Sequence, residues 1–387
     1  MQYRHDISLI GYGCMRFSRN GAIIDYSKAE KEVLHAIELG VNYFDTAYTY
    51  PGNEEILGRI VSKNNIRSKI NIATKLPQYY VKTSGAIEKY FNEQLSRLRT
   101  DYIDYYLMHM LTDISSWEKL VKLGIIDWID EKKKSGQIKK IGFSFHGNTD
   151  MFIKILEAYN WEFCQIQYNY MDEFSQGGRK GLELAQSKNI PVIIMEPLRG
   201  GKLVDLLPDT AKTLIANNSH GYSAAEWSFR WLMQQSGVSC VLSGMNSIEM
   251  LEENVKIASE VKPGEFTPED FNFINEIRNA INAKIKVNCT ACGYCMPCPH
   301  GVDIPGVFRC YNVYYTDNHF SALREYVQMH VLKPKPSVAS ACVSCGACVR
   351  HCPQSINIPF ELKNASKKLD ILPVRLAKWG IQRFKLW

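Results

Sequence analysis

Nine of the 12 cysteines lie between Cys289 and Cys352, while Cys14, Cys164 and Cys240 are scattered through the first 280 residues. No other feature constrains the fold as much, because closely spaced thiols must either pair with one another or bind metal. Pairing is the poorer fit. Met1 to Ser8 reads MQYRHDIS, without the basic patch and apolar run of a secretory leader, so the expectation is a cytoplasmic chain with reduced thiols. No apolar stretch approaches the roughly 20 residues of a membrane-spanning helix. With 45% hydrophobic and 22% charged residues, the 387-residue chain has the composition of an ordinary globule, which excludes disorder, collagen and a coiled-coil rod.

Short β-branched or aromatic runs recur ahead of the thiol-rich region, at residues 7–14, 41–46, 70–75, 102–109, 140–145, 163–168, 191–196 and 240–244. Between them lie stretches of helical periodicity such as 26–39, 84–98 and 247–258. Eight strands alternating with helices predict a closed (β/α)8 TIM barrel. The rival is an open doubly wound sheet, whose first strand normally leads into a glycine-rich dinucleotide turn; Gly11-Tyr12-Gly13-Cys14-Met15-Arg16 lacks the third glycine. Cys14, Cys164 and Cys240 read as strand residues facing the core.

A barrel of this kind builds its active site at the C-terminal ends of its strands. Asp45 closes the second predicted strand, Lys75 the third and His109 the fourth, and Tyr50 follows in the loop after Asp45. Four titratable types on one rim suit reduction of a carbonyl by hydride. A tyrosine is a poor acid or base at neutral pH unless a neighbouring cation lowers its pKa. Lys75 would be that cation, held charged by Asp45, and His109 would hydrogen-bond the substrate oxygen that Tyr50 protonates. Tyr48 is a rival donor on chemical grounds.

The segments Phe44-Asp45-Thr46-Ala47-Tyr48-Thr49-Tyr50, Ala73-Thr74-Lys75, Tyr106-Leu107-Met108-His109 and Ile141-Gly142-Phe143-Ser144 resemble, in that order, the aldo/keto reductase superfamily. The resemblance covers about the first 285 residues. It implies a (β/α)8 barrel with a nicotinamide cofactor across its mouth, and Tyr50 rather than Tyr48 as the acid. It also implies cofactor contacts from Gly13, Cys14 and Met15, and from Ser144 and Gln165 at the carboxamide. The family usually has Asn after that serine; here the position is Phe145, and His146 next to it is the substitute. Pro197, Leu198, Gly200 and Gly201 after the seventh strand, with Ser243, Gly244 and Met245 after the eighth, suit a pyrophosphate or form tight turns. Glu253 and Asn254 complete the implied set. Counting back from them, Gly244 and Met250 stand where NADP-preferring relatives carry Lys and Arg, so NAD or NADP stays open, with Arg199 or Lys202 as substitutes.

Cys289, Cys292, Cys295 and Cys298 form C-x2-C-x2-C-x2-C before Pro299, and Cys342, Cys345, Cys348 and Cys352 form C-x2-C-x2-C-x3-C before Pro353. The second run has the spacing of bacterial ferredoxins, whose three close thiolates and one distant thiolate hold a 4Fe-4S cluster. An internal repeat supports two half-modules, since residues 298–305 parallel 352–359. Zinc is the alternative, but zinc ribbons space their cysteine pairs by 15 to 20 residues. The region resembles two-cluster ferredoxins, which implies one cluster on Cys289, Cys292, Cys295 and Cys352 and another on Cys342, Cys345, Cys348 and Cys298. Cys310 reads as a buried thiol.

The expected organisation is therefore a barrel over 1–285, a small α+β ferredoxin-like iron-sulfur domain over 286–362 and a basic amphipathic tail over 363–387. From Ser366 onward Lys367, Lys368, Arg375, Lys378, Arg383 and Lys385 oppose Asp370, which accounts for much of the formal charge of +6. The rest is nearly neutral, so a nucleic-acid partner is not expected. The tail reads as a packed helix, or alternatively as contact with an anionic membrane surface or an acidic redox partner. The expected activity is oxidation or reduction of a small alcohol or carbonyl substrate with NADP or NAD. A second expectation is electron transfer to a partner redox protein, with a flavin as the group that converts hydride into single electrons.

Overall fold

The computed structural model describes residues 1–147, 149–174, 176–283, 285–289, 293, 295–316, 318–331, 336–352 and 356–384. Packing divides the chain into two compact units, Met1–Leu203 with Tyr222–Phe271, and Val204–Gly221 with Asn272–Trp387. The first unit is a closed barrel of eight strands. In chain order they are β1 Ile10–Gly13, β2 Tyr43–Asp45, β3 Asn71–Leu76, β4 Ile103–Leu111, β5 Ile138–Phe145, β6 Phe163–Gln167, β7 Val192–Met195 and β8 Val238–Ser243. Each pairs in parallel with the next, and β8 closes on β1 through Val241 opposite Ile10 and Ser243 opposite Tyr12. The doubly wound alternative is thereby excluded.

The helices start and stop for local reasons. Asp25 caps helix Tyr26–Glu38 by accepting from the Lys28 amide at 3.1 Å, and Ser247 caps Ile248–Glu260 by accepting from Met250 at 3.2 Å. Helix Ser84–Leu98 ends where Arg99 turns left-handed, at φ +52°. Inside the barrel, Tyr43, Ala73, Tyr105, Leu107, Phe163, Ile193, Cys240 and Leu242 form one buried cluster. Tyr105 stands edge-on to both Tyr43 and Phe163, with centroids 5.0 Å apart in each pair. This interior is a packed core, so chemistry is confined to the rim. Cys240 belongs to this cluster, Cys164 is a buried residue of β6 outside it, and Cys14 is equally buried but sits in the 3-10 turn Cys14–Arg16 just past β1.

Described residues of the second unit form helices and no strand, including Ile304–Thr316, His319–Tyr326, Ile358–Leu369 and Leu372–Phe384. These helices flank the cysteine loops of the ferredoxin-like module. Its own core gathers Val302, Val307, Phe308, Tyr326, Ile358 and Leu362, with Cys310 buried among them. In the tail, Val374 joins this core while Leu372 and Leu376 stay exposed. No helix among the described residues is long and apolar enough to cross a membrane.

Close approach of two helices gives a test of the packing. A Cβ on Gly58, in helix Asn53–Lys63, would lie 2.6 Å from the Leu98 backbone, whereas one on Gly85 would meet open space. Gly58→Ala is expected to destabilise the barrel by roughly 1–3 kcal/mol, and Gly85→Ala to stabilise it by about 0.5–1 kcal/mol. Unfolding midpoints followed by circular dichroism check the opposite signs.

Candidate active site and cysteine cavity

One buried ion pair anchors the barrel rim. Lys75 Nζ lies 2.7 Å from each carboxylate oxygen of Asp45 and from the Thr46 carbonyl oxygen. Asp45 is 4% exposed and Lys75 1%. Burial works against charge on Lys75, but Asp45 and Tyr50 more than offset it and hold the ammonium protonated. A second buried network stands behind the lysine. Gln94 Nε2 donates to the Lys75 carbonyl at 3.1 Å and to Glu54 Oε1 at 2.8 Å, Thr74 Oγ1 donates to Glu54 at 2.6 Å, and Arg97 pairs with Glu54 at 3.2 Å.

Tyr50 lies in the turn after β2, its amide donating to the Ala47 carbonyl at 3.0 Å. Lys75 Nζ is 5.3 Å from the centre of its ring, and the His109 ring centre is 6.2 Å away at 84°. Sequence reasoning expects Lys75 to depress Tyr50. Lys75 does pull in that direction, but burial outweighs it and the phenol is pushed up. Tyr48 points elsewhere, donating to Glu93 at 2.6 Å with Arg97 stacked 4.1 Å over its ring. Of the two tyrosines, Tyr50 faces Lys75 and His109.

His109 is presented by an irregularity in β4, whose register against β5 shifts between Met108 and Leu111, with Met110 at φ +53°. The Met110 amide donates instead to Ser144 Oγ at 2.8 Å. Burial, helped by Lys75 and His146, pushes the His109 imidazole down to about 3, so the ring is neutral at pH 7. Its Nδ1 is buried without a partner among the described residues.

The implied cofactor residues fall into three groups. Ser144 and Gln165 sit side by side across β5 and β6 and are both 1% exposed. Gln165 Nε2 reaches Asp45 at 3.4 Å while its Oε1 has no partner among the described residues. One free acceptor beside a hydroxyl that can still donate suits a primary carboxamide. His146 follows β5, its amide bonded to the Leu111 carbonyl at 2.9 Å. The loops after β7 and β8 form the second group: Gly200 and Gly201 have positive φ, and Gly201 donates to Leu198, with Pro197 buried beside them. Ser243 and Asn254 are joined by a 3.2 Å hydrogen bond, and Glu253 accepts from Ser223 at 3.1 Å. In the third group side chains turn away: Cys14 and Met245 are buried in the core, so the backbone is what they offer, whereas Gly13 is half-buried and Met15 is exposed. Sequence reasoning missed Tyr79, whose ring centre is 6.0 Å from that of His109, with Tyr80 packed against it. Their position directly after β3 was the available signal.

In the second unit a cavity of about 300 Å³ is lined by Cys295, Cys298, Cys342, Cys345 and Cys348. Cys298 is thereby brought to the second cysteine run. Burial raises the Cys348 thiol, and Cys342, Cys345 and Cys298 are all near enough to add to that. Cys289 and Cys352 pack against the same unit's core, and Cys292 lies outside the described residues. Among the described residues no three His, Cys, Asp or Glu side chains converge on a single ion.

Residues 9–279 match the aldo/keto reductase family, and residues 288–356 match the 4Fe-4S dicluster domain. The chain is 27% identical over 285 residues to the uncharacterized oxidoreductase YqkF of Bacillus subtilis, covering 66% of this chain and 88% of that one. It is 25% identical over 277 residues to the L-galactose dehydrogenase of Arabidopsis thaliana, covering 66% and 86%. Among solved structures, the holo form of aldo-keto reductase AKR11C1 from Bacillus halodurans aligns with a TM-score of 0.58 at 26% identity, over 70% of this chain and 92% of that one. An aldo/keto reductase from Klebsiella pneumoniae, in complex with NADP and acetate, shares the fold with a TM-score of 0.56 at 22% identity, over 70% and 92%. With the barrel, its rim and the thiol-lined cavity accounted for together, the chain belongs to the aldo/keto reductase family and is an oxidoreductase that carries a C-terminal 4Fe-4S dicluster domain.

Proposed function

We propose that this oxidoreductase reduces the carbonyl of an aldehyde, ketone or sugar, or oxidises the corresponding alcohol, with NADP or NAD at the barrel mouth, and that its cysteine module holds two 4Fe-4S clusters. The observation that carries the reading is Tyr50 set between a charged Lys75 and a neutral His109. The Klebsiella structure holds NADP, and the Arabidopsis relative is named for a sugar; both lie within the proposed class. Thiolate ligands fit a reducing, cytoplasmic setting.

A bound nicotinamide supplies a hydride to the carbonyl carbon, and the oxygen then needs one proton to become a hydroxyl. Tyr50 donates that proton. Lys75 stabilises the phenolate left behind, and Asp45 keeps Lys75 charged and in place. Neutral His109 donates a hydrogen bond to the same substrate oxygen. Ser144 and Gln165 Oε1 orient the carboxamide, one donating and the other accepting. In the oxidising direction Tyr50 takes the proton back.

Electron transfer to a partner redox protein is the second reading, favoured by Cys345, which is exposed at the edge of the cluster cavity. A flavin released on denaturation would identify the converter between hydride and single electrons.

Tyr50→Phe should lower kcat by about 10²- to 10⁴-fold, while Tyr48→Phe stays within a few-fold of the parent; nicotinamide absorbance with a carbonyl panel reads both. Reduction needs Tyr50 protonated and is lost only as pH rises past its elevated pKa. The profile of kcat/KM should therefore run level from about pH 5 to 9, and an inflection near 6.5 that disappears in His109→Ala would contradict the neutral imidazole. Anaerobic protein should contain about eight iron atoms per chain. Cys345→Ser should lose about half of them, and Cys310→Ser none, by iron and sulfide analysis.

A further inference from the structure

The phosphates of a dinucleotide favour a cation, and Gly244 and Met250 stand where the resemblance to NADP-preferring relatives implies cations for the 2′-phosphate. Arg199 is not a ready substitute, because its Nε pairs with Asp172 at 3.2 Å. Another arginine occupies the place. Arg16 leaves the turn Cys14–Arg16 after β1 and is exposed. A Cβ added to Gly244 would sit 2.7 Å from Arg16 Cβ and closer still to its Cγ. The stem of Arg16 thus lies across the space that a side chain at 244 would fill. At the other end, a Cβ on Gly200 would be 3.0 Å from Arg16 Nη2 and 3.6 Å from Glu196 Oε2. The side chain therefore spans the two glycine loops after β7 and β8, the place where barrels of this type bind phosphate. None of the ion pairs among the described residues includes Arg16.

On the reading of the barrel mouth as a nicotinamide dinucleotide site, we infer that Arg16 is its phosphate-binding cation, delivered from the first strand over Gly244 to the pyrophosphate at Gly200. A guanidinium fork matches two phosphate oxygens. Gly244 and Arg16 form one device: the glycine makes room for the stem that carries the guanidinium to Gly200. Glu196 sharpens the requirement, since without Arg16 its carboxylate would face the phosphates unopposed.

Binding of NADPH, NADH and ADP-ribose to the full chain, followed by calorimetry or tryptophan quenching, tests this without turnover. Arg16→Ala should weaken binding about 10- to 100-fold and flatten its salt dependence, and Arg16→Lys should restore part of the loss. Gly244→Ala, which pushes the stem aside, should weaken binding in the same direction. Equal loss for all three ligands supports the pyrophosphate; loss confined to NADPH places the guanidinium on the 2′-phosphate and overturns the pyrophosphate assignment. Arg16→Ala binding within twofold of the parent overturns the inference alone, whereas a parent that binds none of the three ligands overturns the dinucleotide reading as well.

Discussion

The ion pair between Lys75 and Asp45 is the constraint around which the rim is arranged. Removing two charges from water costs several kcal/mol per ion, and the pair is tolerable only because Lys75 meets both carboxylate oxygens and a backbone carbonyl at 2.7 Å. That geometry depends on the register of β2 and β3, which sets the last residue of β2, Asp45, opposite Ala73, two residues before Lys75. The Glu54, Thr74 and Gln94 network then holds the Lys75 backbone from behind. Everything proposed for Tyr50 presupposes that the ammonium cannot wander.

Much of the barrel was legible because each strand is short, apolar and bounded by helix signals. Helix Ser84–Leu98 has the ends that its pattern predicts, and the strand carrying Ser144 ends at Phe145 as expected. The strand carrying His109 runs on to Leu111 through an irregularity, and periodicity cannot reveal a residue that leaves the ladder. Glu54 illustrates a different limit. It is 1% exposed because Thr74 and Gln94, 20 and 40 residues away, reach it. Arg16 was passed over for the same reason: its neighbours, Gly200 and Gly244, lie far along the chain. Pairings at that sequence distance are set by barrel closure, which no local pattern contains. In the second unit, cysteine spacing signalled metal ligation but said little about the secondary structure between the runs.

The two units carry separate hydrophobic cores, one of barrel aromatics and one built around Phe308, Tyr326 and Leu362. Separate cores allow the two chemistries to be perturbed one at a time. The electron arithmetic of the proposed activity is also simpler than it looks: one hydride carries two electrons, and two clusters accepting one each would balance it, provided that something splits the pair.

The upward shift of Tyr50 has a consequence for direction. At neutral pH the free protein waits with its phenol loaded, and His109, neutral and without a partner for Nδ1 among the described residues, is no reservoir for a replacement proton. Lys75 is sealed in its ion pair. In the proposed reduction the phenol would be reloaded from solvent at the barrel mouth, where Tyr79, Tyr80 and Met15 are exposed. The proposed oxidation would start from the opposite state and first shed that proton by the same route. On that proposal the resting molecule is armed as a donor, and the reverse reaction begins with a disarming step.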